Sequence, residues 1–389
     1  MVEPFQLRVI RTLDAVEGLR PIWTSWPDGG RADIDFYLMT LRSTKDCLRP
    51  HIILLSRGET PHAMLVGKVE HSRVGMKILQ WRLTSPRLVV LEFVYRGLLG
   101  DQSAETCQIL ITSILDSLRR GEADVALLNK VRTDCALHDT GIQMPSVLCR
   151  DHSPGVFLHC SMTLPNTTAD LYRSLSSRHR QKVRKCARDL LAAYPDRVRV
   201  ARLQQCGDTE DVIADVERIA RQTYQRSLGV GLQNDQTTRQ WLALTAAKGW
   251  LRGYVLYLDD QPVAFWIGTL SGGVFRLDYI GYDPAYERLS PGVFLLTRAV
   301  EDLCQSTARE VDFGHGSELY KQQFGNCTWH EAIIYINALT LKGIAFKVMR
   351  TLVHVTDRLV RILLERTNLL PRLKRAWRTH LKSVDARSS

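Results

Sequence analysis

The sequence predicts a mixed α/β (α+β) protein of two similar halves, each a mostly antiparallel sheet flanked by helices. Strand-like and helix-like segments alternate along both halves. The order strand, Arg-x-x-x-Gly, helix, strand occurs twice, after Leu88–Tyr95 and after Val274–Tyr282. A length of 389 residues is typical of two domains that each bury a core. We therefore expect an internal duplication.

The first half is predicted to be a domain spanning residues 1–155. Its helices are predicted at Leu13–Trp26 with an interruption at Pro21, at Asp33–Leu41 and at Asp101–Arg120. Its strands are predicted at His51–Ser56, His62–Val69, Met76–Leu83, Leu88–Tyr95 and Ala123–Asn129. A cluster of turn residues at Asp151–Gly155 predicts the domain boundary.

The second half, residues 156–340, repeats this plan and is followed by a basic tail, residues 341–389. Its helices are predicted at Ala169–Ala193, Asp208–Ser227, Asp235–Ala247 and Pro291–Gln305. Its strands are predicted at Arg197–Leu203, Tyr254–Leu258, Gln261–Thr269, Val274–Tyr282 and Val311–Phe313.

The composition indicates a soluble protein of the cytoplasm. Apolar residues make up 45% of the chain and charged residues 24%, which are ordinary values for a globular protein. Neither a secretory signal nor an apolar stretch long enough to cross a bilayer is visible. Nine cysteines without a C-x-x-C pair favour reduced thiols over a disulfide framework or a zinc site. We expect no metal ion.

The net charge of +11 is concentrated in the tail, which holds twelve Lys and Arg against three Asp and Glu. The apolar residues from Ile344 to Leu363 follow helical spacing, and a second basic helix is predicted at Leu373–Lys382. This pattern favours a helix lying at the inner face of a membrane, or docking on a membrane-bound partner. The alternative is a helix that packs on its own domain and leaves its basic face in water.

The loop Arg288–Gly292 has residues suited to binding phosphate at a helix start. Ser290 can cap the helix, and Pro291 is at home in its first position. Free amides at Gly292 and Val293, together with the helix dipole, would attract a pyrophosphate, and Arg288 would add a charged hydrogen bond. The alternative is an ordinary capped surface helix.

Downstream residues could act on a thioester. The phenol of Tyr320 could donate a proton to a departing thiolate. A backbone amide of the strand from Leu277 onward could polarise a thioester carbonyl if this strand separates from its neighbour. The residues that could accept the proton of an attacking amine are Asp278, Glu318 and His315. The alternatives are solvated carboxylates, a loop histidine and a packing tyrosine.

Three segments carry a family resemblance: Ser176–Lys185, Tyr282–Gly292 and Asp312–Lys321. With them the chain resembles the GNAT superfamily of N-acetyltransferases. It looks most similar to the CelD/BcsL-type acetyltransferases of cellulose and exopolysaccharide biosynthesis, which are related to FemAB-like transferases. The resemblance covers residues 165–340 well. It extends more faintly to the first half, as a degenerate GNAT-like copy.

The resemblance implies an acyl-CoA donor and an amine or hydroxyl acceptor on a polysaccharide-related precursor. It implies that Arg288–Val293 is the pyrophosphate loop, that Leu277 and Tyr279 lie on the strand beside the thioester, and that Tyr320 protonates the thiolate. The loop departs from the family pattern by one extra residue and a proline before Gly292. The first half has no tyrosine between Tyr95 and Tyr172, so its copy lacks this acid.

Two other functions fit the sequence. The basic helix around Arg178–Arg188 could hold an anionic carrier or tRNA, which would suit FemAB-like aminoacyl transfer. No RNA-binding motif accompanies it, so nucleic acid is not the expected partner. The third candidate is an inactive interaction protein that uses the basic tail to recruit an assembly to the membrane.

Overall fold

The computed structural model describes residues 3–26, 32–79, 81–204, 209–222, 231–316 and 318–366. It confirms the mixed α/β class, because helices cover both faces of one continuous 12-stranded sheet. The predicted helix Leu373–Lys382 and residues 223–227 of the predicted helix Asp208–Ser227 lie outside the described residues.

The described part of the first half contains a strand meander between helices. Its strands are β1 (Phe5–Ile10), β2 (Cys47–Arg57), β3 (Thr60–Ser72), β4 (Gly75–Ile78), β5 (Trp81–Thr84), β6 (Leu88–Gly100) and β7 (Val125–Arg132). Its helices are α1 (Leu13–Glu17), α2 (Arg20–Ser25), α3 (Ile34–Ser43), α4 (Ala104–Arg119) and α5 (Ala136–Gln143).

The described part of the second half repeats this plan. Its strands are β8 (Gly155–Thr163), β9 (Val198–Leu203), β10 (Leu251–Leu258), β11 (Gln261–Ser271), β12 (Val274–Tyr282), β13 (Glu310–His315) and β14 (Cys327–Asn337). Its helices are α6 (Thr168–Ser174), α7 (Ser177–Ala193), α8 (Thr209–Gln222), α9 (Gln236–Ala247), α10 (Pro291–Cys304), α11 (Leu319–Phe324) and α12 (Leu341–Arg366). A 3-10 turn at Pro284–Leu289 precedes α10.

The strand order of the main sheet is nearly symmetric about its centre: β1-β2-β3-β6-β7-β14-β8-β13-β12-β11-β10-β9. Each half has four antiparallel strands followed by one parallel pair, β6 with β7 and β12 with β13. Strand β8 pairs with β13 of its own half, whereas β14 of the second half pairs with β7 of the first half. Strands β8 and β14 pair with each other and join the halves.

The cores follow from the alternation of side chains along the strands. In β11, Trp266 faces the core under α6, α7, α10 and α11, whereas Phe265 and Ile267 face the core under α8 and α9. The first half has the same arrangement, with α4 and α5 on one face and α1 to α3 on the other. Helix α12 packs on the β4–β5 hairpin and on β14.

Several predicted element bounds are wrong for local reasons. The first predicted helix breaks at Gly18 and Leu19, and Pro21 lies in the first turn of α2, where no amide donor is needed. The predicted helix Ala169–Ala193 is two helices, because the extended residue Ser176 caps a new helix by accepting from the amide of His179. The predicted strand Met76–Leu83 is the β4–β5 hairpin, with Leu79 at φ 53°.

The segment Arg96–Gly100, predicted as a loop, instead continues β6. A bulge interrupts its pairing with β3 between Phe93 and Leu98 and gives Arg96 a φ of 57°. Among the described helices, none combines the length and the hydropathy that crossing a bilayer requires.

Candidate active site

The strand predicted to lie beside the thioester carries a bulge at Asp278. Leu277 pairs with Gly268 and Tyr279 pairs with Ile267, so Asp278 has no partner position on β11. The bulge sends neighbouring side chains to opposite faces. Leu277 packs on the core under α10, and Tyr279 contacts Trp241 on the other side, with ring centroids 5.5 Å apart.

Strands β12 and β13 are paired only at their beginnings. Their parallel register covers three residues of each strand and ends at Arg276 and Asp312. Beyond that point β12 continues to Tyr282 and β13 to His315 without described pairing between them. This arrangement agrees with the expected separation of the strand that bears Leu277, Asp278 and Tyr279.

The start of α10 differs from its prediction at Ser290. This residue adopts a left-handed conformation, φ 51° and ψ 50°, and its side chain does not cap the helix. Its carbonyl oxygen instead accepts from the amides of Val293 and Phe294 at 3.1 and 3.2 Å. Gly292 lies against the ring of Tyr282, and Arg288 is exposed at the end of the 3-10 turn. The prediction of a free amide at Val293 is therefore wrong, because this amide already donates to Ser290, and Gly292 is the residue of this turn whose amide has no described hydrogen bond.

Tyr320 lies in the first turn of α11, directly after β13. Its half-buried ring packs against Phe313, with centroids 5.9 Å apart, and against the core that Leu277 and Val293 also contact. The structure thus brings together residues from β12, α10 and α11 on one face of the sheet. Glu318 is largely exposed and forms an ion pair with the buried Lys321 at 3.0 Å.

His315 belongs to a buried polar cluster between the two halves. Its Nε2 lies 2.5 Å from Oε2 of Glu331 on β14 and 3.3 Å from Nδ1 of His159 on β8. The Nε2 of His159 lies 2.6 Å from Oδ1 of Asp312. The other carboxylate oxygen of Glu331 accepts from the indole N–H of Trp329 at 2.8 Å and from the hydroxyl of Tyr95 at 3.0 Å.

The hydrogen bonds of this cluster set its protonation. Burial alone would lower the pKa of His159, but its bonds to Asp312 and Glu331 raise the pKa above its ordinary value. Burial alone would raise the pKa of Asp312 and Glu331, yet hydrogen bonds with His159 hold both below their ordinary values. Burial lowers the pKa of His315, so its imidazole is neutral near neutral pH. A neutral ring that donates from Nε2 to Glu331 keeps Nδ1 as an acceptor.

The cluster borders a cavity of about 740 Å³ in the first half, between β6 and β7. Tyr95 and Glu331 both line the cavity, and their side chains are hydrogen-bonded at 3.0 Å. Its cationic lining residues are Arg96, Lys130 and Arg132. Both Arg96 and Lys130 have positive φ, 57° and 55°, which is a strained conformation that often marks functional sites.

The first half differs from the second at its phosphate loop. The carboxylate of Asp101 accepts from the amide and hydroxyl of Ser103 and from the hydroxyl of Thr106, at the start of α4. A negative charge therefore already occupies this helix start, which disfavours a second anion there.

Sequence reasoning found His315 but missed its partners His159, Glu331 and Tyr95. Asp312 was predicted to shape the strand end, and it also anchors His159. Ligand atoms of His159, His315 and Glu331 lie within 4.8 Å of one another, which is compact enough for a metal ion. Their mutual hydrogen bonds already explain the arrangement, so the expectation of no metal stays a prediction.

The comparisons with known proteins support the resemblance to N-acetyltransferases. Residues 177–322 match the family model described as an acetyltransferase (GNAT) domain. The match contains the loop Arg288–Val293, the strand bearing Asp278, and Tyr320. The match supports an acyltransferase, and proteins with this domain generally use an acyl-CoA donor and an amine acceptor.

Solved structures agree with the fold over most of the chain. The crystal structure of FemX is 12% identical and has a TM-score of 0.55, covering 89% of this chain and 100% of FemX. The C-terminal domain of a putative lysylphosphatidylglycerol synthetase from Agrobacterium fabrum is 12% identical, with a TM-score of 0.50, covering 87% of this chain and 96% of that domain. At these identities the likeness concerns the fold alone. No curated protein matches the sequence.

Proposed function

We propose that the protein transfers an acyl group, most simply acetyl, directly from acyl-CoA to an amine or hydroxyl of a polysaccharide-related precursor. One observation carries this proposal. The pairing of β12 and β13 ends at Arg276 and Asp312, and a helix start without a side-chain cap follows on the same face as Tyr320. An open strand, an anion-binding helix start and a phenol are the groups that a CoA thioester requires.

The donor would bind along these elements. The amide of Gly292, the positive end of α10 and the exposed Arg288 would hold the pyrophosphate of the carrier. A backbone amide of the bulged strand near Leu277 and Tyr279 would polarise the thioester carbonyl. The CoA thioester supplies the activated acyl group, and the protein supplies position and proton transfer.

The transfer requires two proton movements. The acceptor nitrogen or oxygen attacks the carbonyl carbon, its new bond to carbon forms, and the carbon–sulfur bond breaks. The phenol of Tyr320 donates its proton to the departing sulfur, which leaves as the CoA thiol. The acceptor's proton passes to a base, and solvent restores both groups.

Among the three predicted bases, His315 has the most suitable surroundings. Its imidazole is neutral, and Glu331 fixes one ring nitrogen as the donor, so that the other can accept a proton. Glu318 is engaged with Lys321, and Asp278 lies on the bulge of the donor strand. We therefore assign the base to His315, and we retain Glu318 and Asp278 as groups that test this assignment.

The acceptor would enter from the first-half cavity. Glu331 lines this cavity and holds His315, and three cations surround the space. A precursor with a phosphate, such as a nucleotide-linked sugar, has the charge that Arg96, Lys130 and Arg132 would bind. We place the protein in the cytoplasm, since all described cysteines are free thiols, and peripherally at the membrane where a polysaccharide-synthesis partner would act.

Titration of the purified protein with acetyl-CoA in a calorimeter tests the donor site. We expect saturable binding in the wild type and at least ten-fold weaker binding in Gly292→Trp, because the new side chain would occupy the first turn of α10. The matched control is Gly75→Trp, since an added Cβ at Gly75 meets no atom within 4 Å. Absence of CoA binding at any practical concentration would overturn the proposal.

One observation favours FemAB-like transfer from aminoacyl-tRNA as a second candidate. Helix α7 exposes Arg178, Lys182, Lys185 and Arg188, and it packs against the 3-10 turn that carries Arg288. Such a basic face beside the donor loop would suit a polyanionic carrier. Salt-sensitive tRNA binding that is lost in Lys182→Glu/Arg188→Glu, together with no binding of acetyl-CoA, would favour this second function.

A further inference from the structure

Helix α12 presents an apolar face to solvent along its whole length. Its exposed apolar side chains have exposed fractions between 38% and 91%. They are Leu341, Ile344, Val348, Leu352, Val355, Leu359, Ile362 and Leu363. At 100° per residue they lie within an arc of about 100° over 23 of the helix's 26 positions. Single exposed apolar residues are common, but a continuous stripe of this length indicates an interaction surface.

The other face of the helix is fixed to the body of the protein. Phe346 is 2% exposed and packs on the sheet. Arg350 forms a 2.7 Å ion pair with the buried Asp151. Asp357 accepts from the amide of Leu79 at 2.6 Å. These contacts hold α12 lengthwise, so the helix cannot turn its apolar stripe inward.

Cationic side chains border the stripe on one side. On a helical projection, Lys347 and Arg358 lie within about 60° of one edge of the apolar arc. Arg361 has one described acidic partner, Asp357, at 2.7 Å. The sequence from residue 341 onward carries twelve Lys and Arg against three Asp and Glu. The surface is therefore apolar with cations along one edge, and the sequence that follows it is basic.

The hairpin that supports α12 adds an exposed aromatic residue. Trp81 on β5 is 71% exposed, and β4 of the same hairpin packs against the helix. At the other side, Lys347 donates to the carbonyl oxygen of Val147, and the side chains of Val147 and Leu148 are exposed. Tryptophan and aliphatic side chains beside basic residues are the composition of surfaces that enter the head-group region of a bilayer.

We propose that α12, together with the β4–β5 hairpin, docks the protein on the surface of an anionic lipid bilayer. The helix would lie in the plane of the membrane, with its stripe among the acyl chains and its cations at the lipid phosphates. The charge favours lipid over a second copy of the chain, because two tails with this excess of cations repel each other. The docking is independent of the acyl transfer proposed above.

Co-sedimentation of the full chain with vesicles tests this docking. The vesicles are phosphatidylcholine alone, and phosphatidylcholine mixed with phosphatidylglycerol. We expect the wild type to bind the mixed vesicles, and Leu352→Glu/Leu359→Glu to bind them at least ten-fold less. The matched control is Thr351→Glu/Thr356→Glu, which adds the same charge at exposed positions beside the stripe. We expect this control to bind the mixed vesicles less than about three-fold more weakly than the wild type.

Two results would overturn the proposed membrane docking. Equal binding of the wild type to both vesicle types, or to neither, would overturn the proposal. So would a dimer of the lipid-free wild type in sedimentation velocity that Leu352→Glu/Leu359→Glu converts to monomer, because a second copy would then cover the stripe. Acetyl-CoA titration of the same variant separates the two proposals, since we expect its CoA binding to equal that of the wild type.

Discussion

Tyr320 owes its proposed role to its position in the second half. Its ring is wedged between Phe313 and the core of the second half, directly after the strand that carries His315. A phenol held within hydrogen-bond reach can donate its proton to a departing thiolate. The residue therefore needs only to be held in place, which the packing does.

Replacement of Tyr320 by phenylalanine removes the proton donor and keeps the ring. We expect kcat for acyl transfer to fall about 100-fold, with the Kd for acetyl-CoA unchanged within about two-fold, because general acids typically contribute 10²–10⁴-fold. Steady-state kinetics and calorimetry measure the two quantities. Tyr194→Phe, at another ring packed on the same core, is the control. An unchanged kcat in Tyr320→Phe would assign the acid to another group.

The polar cluster at His159 predicts a pH dependence of stability. Asp312, Glu331 and His315 all contact His159, and the net effect on its pKa is upward from the ordinary 6.5. A histidine whose pKa is raised on folding stabilises the fold fully below its unfolded value. That contribution disappears as the pH rises through the folded value.

We therefore expect His159→Gln to lower the free energy of unfolding by about 3 kcal/mol at about pH 6, since it leaves two buried carboxylates without their cation. The difference from the wild type should shrink as the pH rises above the folded pKa of His159. Urea unfolding at a series of pH values measures it. The control is His330→Gln, an exposed position next to Glu331. A difference that grows with pH would contradict the assigned charge of His159.

At the scale of the element, one glycine allows the bulge of the donor strand. A Cβ on Gly268 would lie 2.0 Å from the carbonyl oxygen of Arg276, so the two backbones approach where no side chain fits. Gly67 on β3 is similarly close to the carbonyl oxygen of Glu92, at 2.9 Å, beside the bulge of β6. Both halves thus use a glycine next to a bulge, which agrees with the predicted duplication.

Gly268→Ala should separate β11 from β12. We expect a loss of about 2–3 kcal/mol in the free energy of unfolding, as for other overpacked sites. We also expect weaker binding of acetyl-CoA, because the bulge at Asp278 would move. Chemical unfolding and calorimetry measure both. Gly75→Ala, in open space, should change stability by less than about 1 kcal/mol. If the Gly268→Ala protein is as stable as the wild type, the close approach of Gly268 to the carbonyl oxygen of Arg276 is refuted.

The sequence predicted elements with clear periodicity and failed where distant pairing decides. Helices α9 and α10 and the meander β10 to β12 were predicted closely, because their apolar spacing and turns are local. Strands β8 and β14 were missed, since their partners lie far away in the sequence: β8 pairs with β13 and β14, and β14 pairs with β7 of the first half. His159 and Glu331 lie on these two strands, so the partners of His315 could not be found. The left-handed φ of Ser290 likewise has no signal in a serine.

At the scale of the whole molecule, the two halves share a plan but differ in their ligand sites. The first half has a cavity lined by Arg96 and Lys130, whose backbones have positive φ. The carboxylate of Asp101 lies at the start of its helix α4. The second half has an open helix start at Ser290 and the phenol. The cluster of His159, His315 and Glu331 lies between them. This division suits one half that binds the acceptor and one that binds the donor.

The pairing of β14 with β7 also has a consequence for biosynthesis. The first half cannot complete its sheet until β14 has left the ribosome, although β7 is made about 200 residues earlier. During that interval β7 keeps an edge without its partner, and β8 waits for β13 in the same way. The two halves therefore reach their final structure together. A chain cut between them would leave the first half without β14, its partner at the edge of β7.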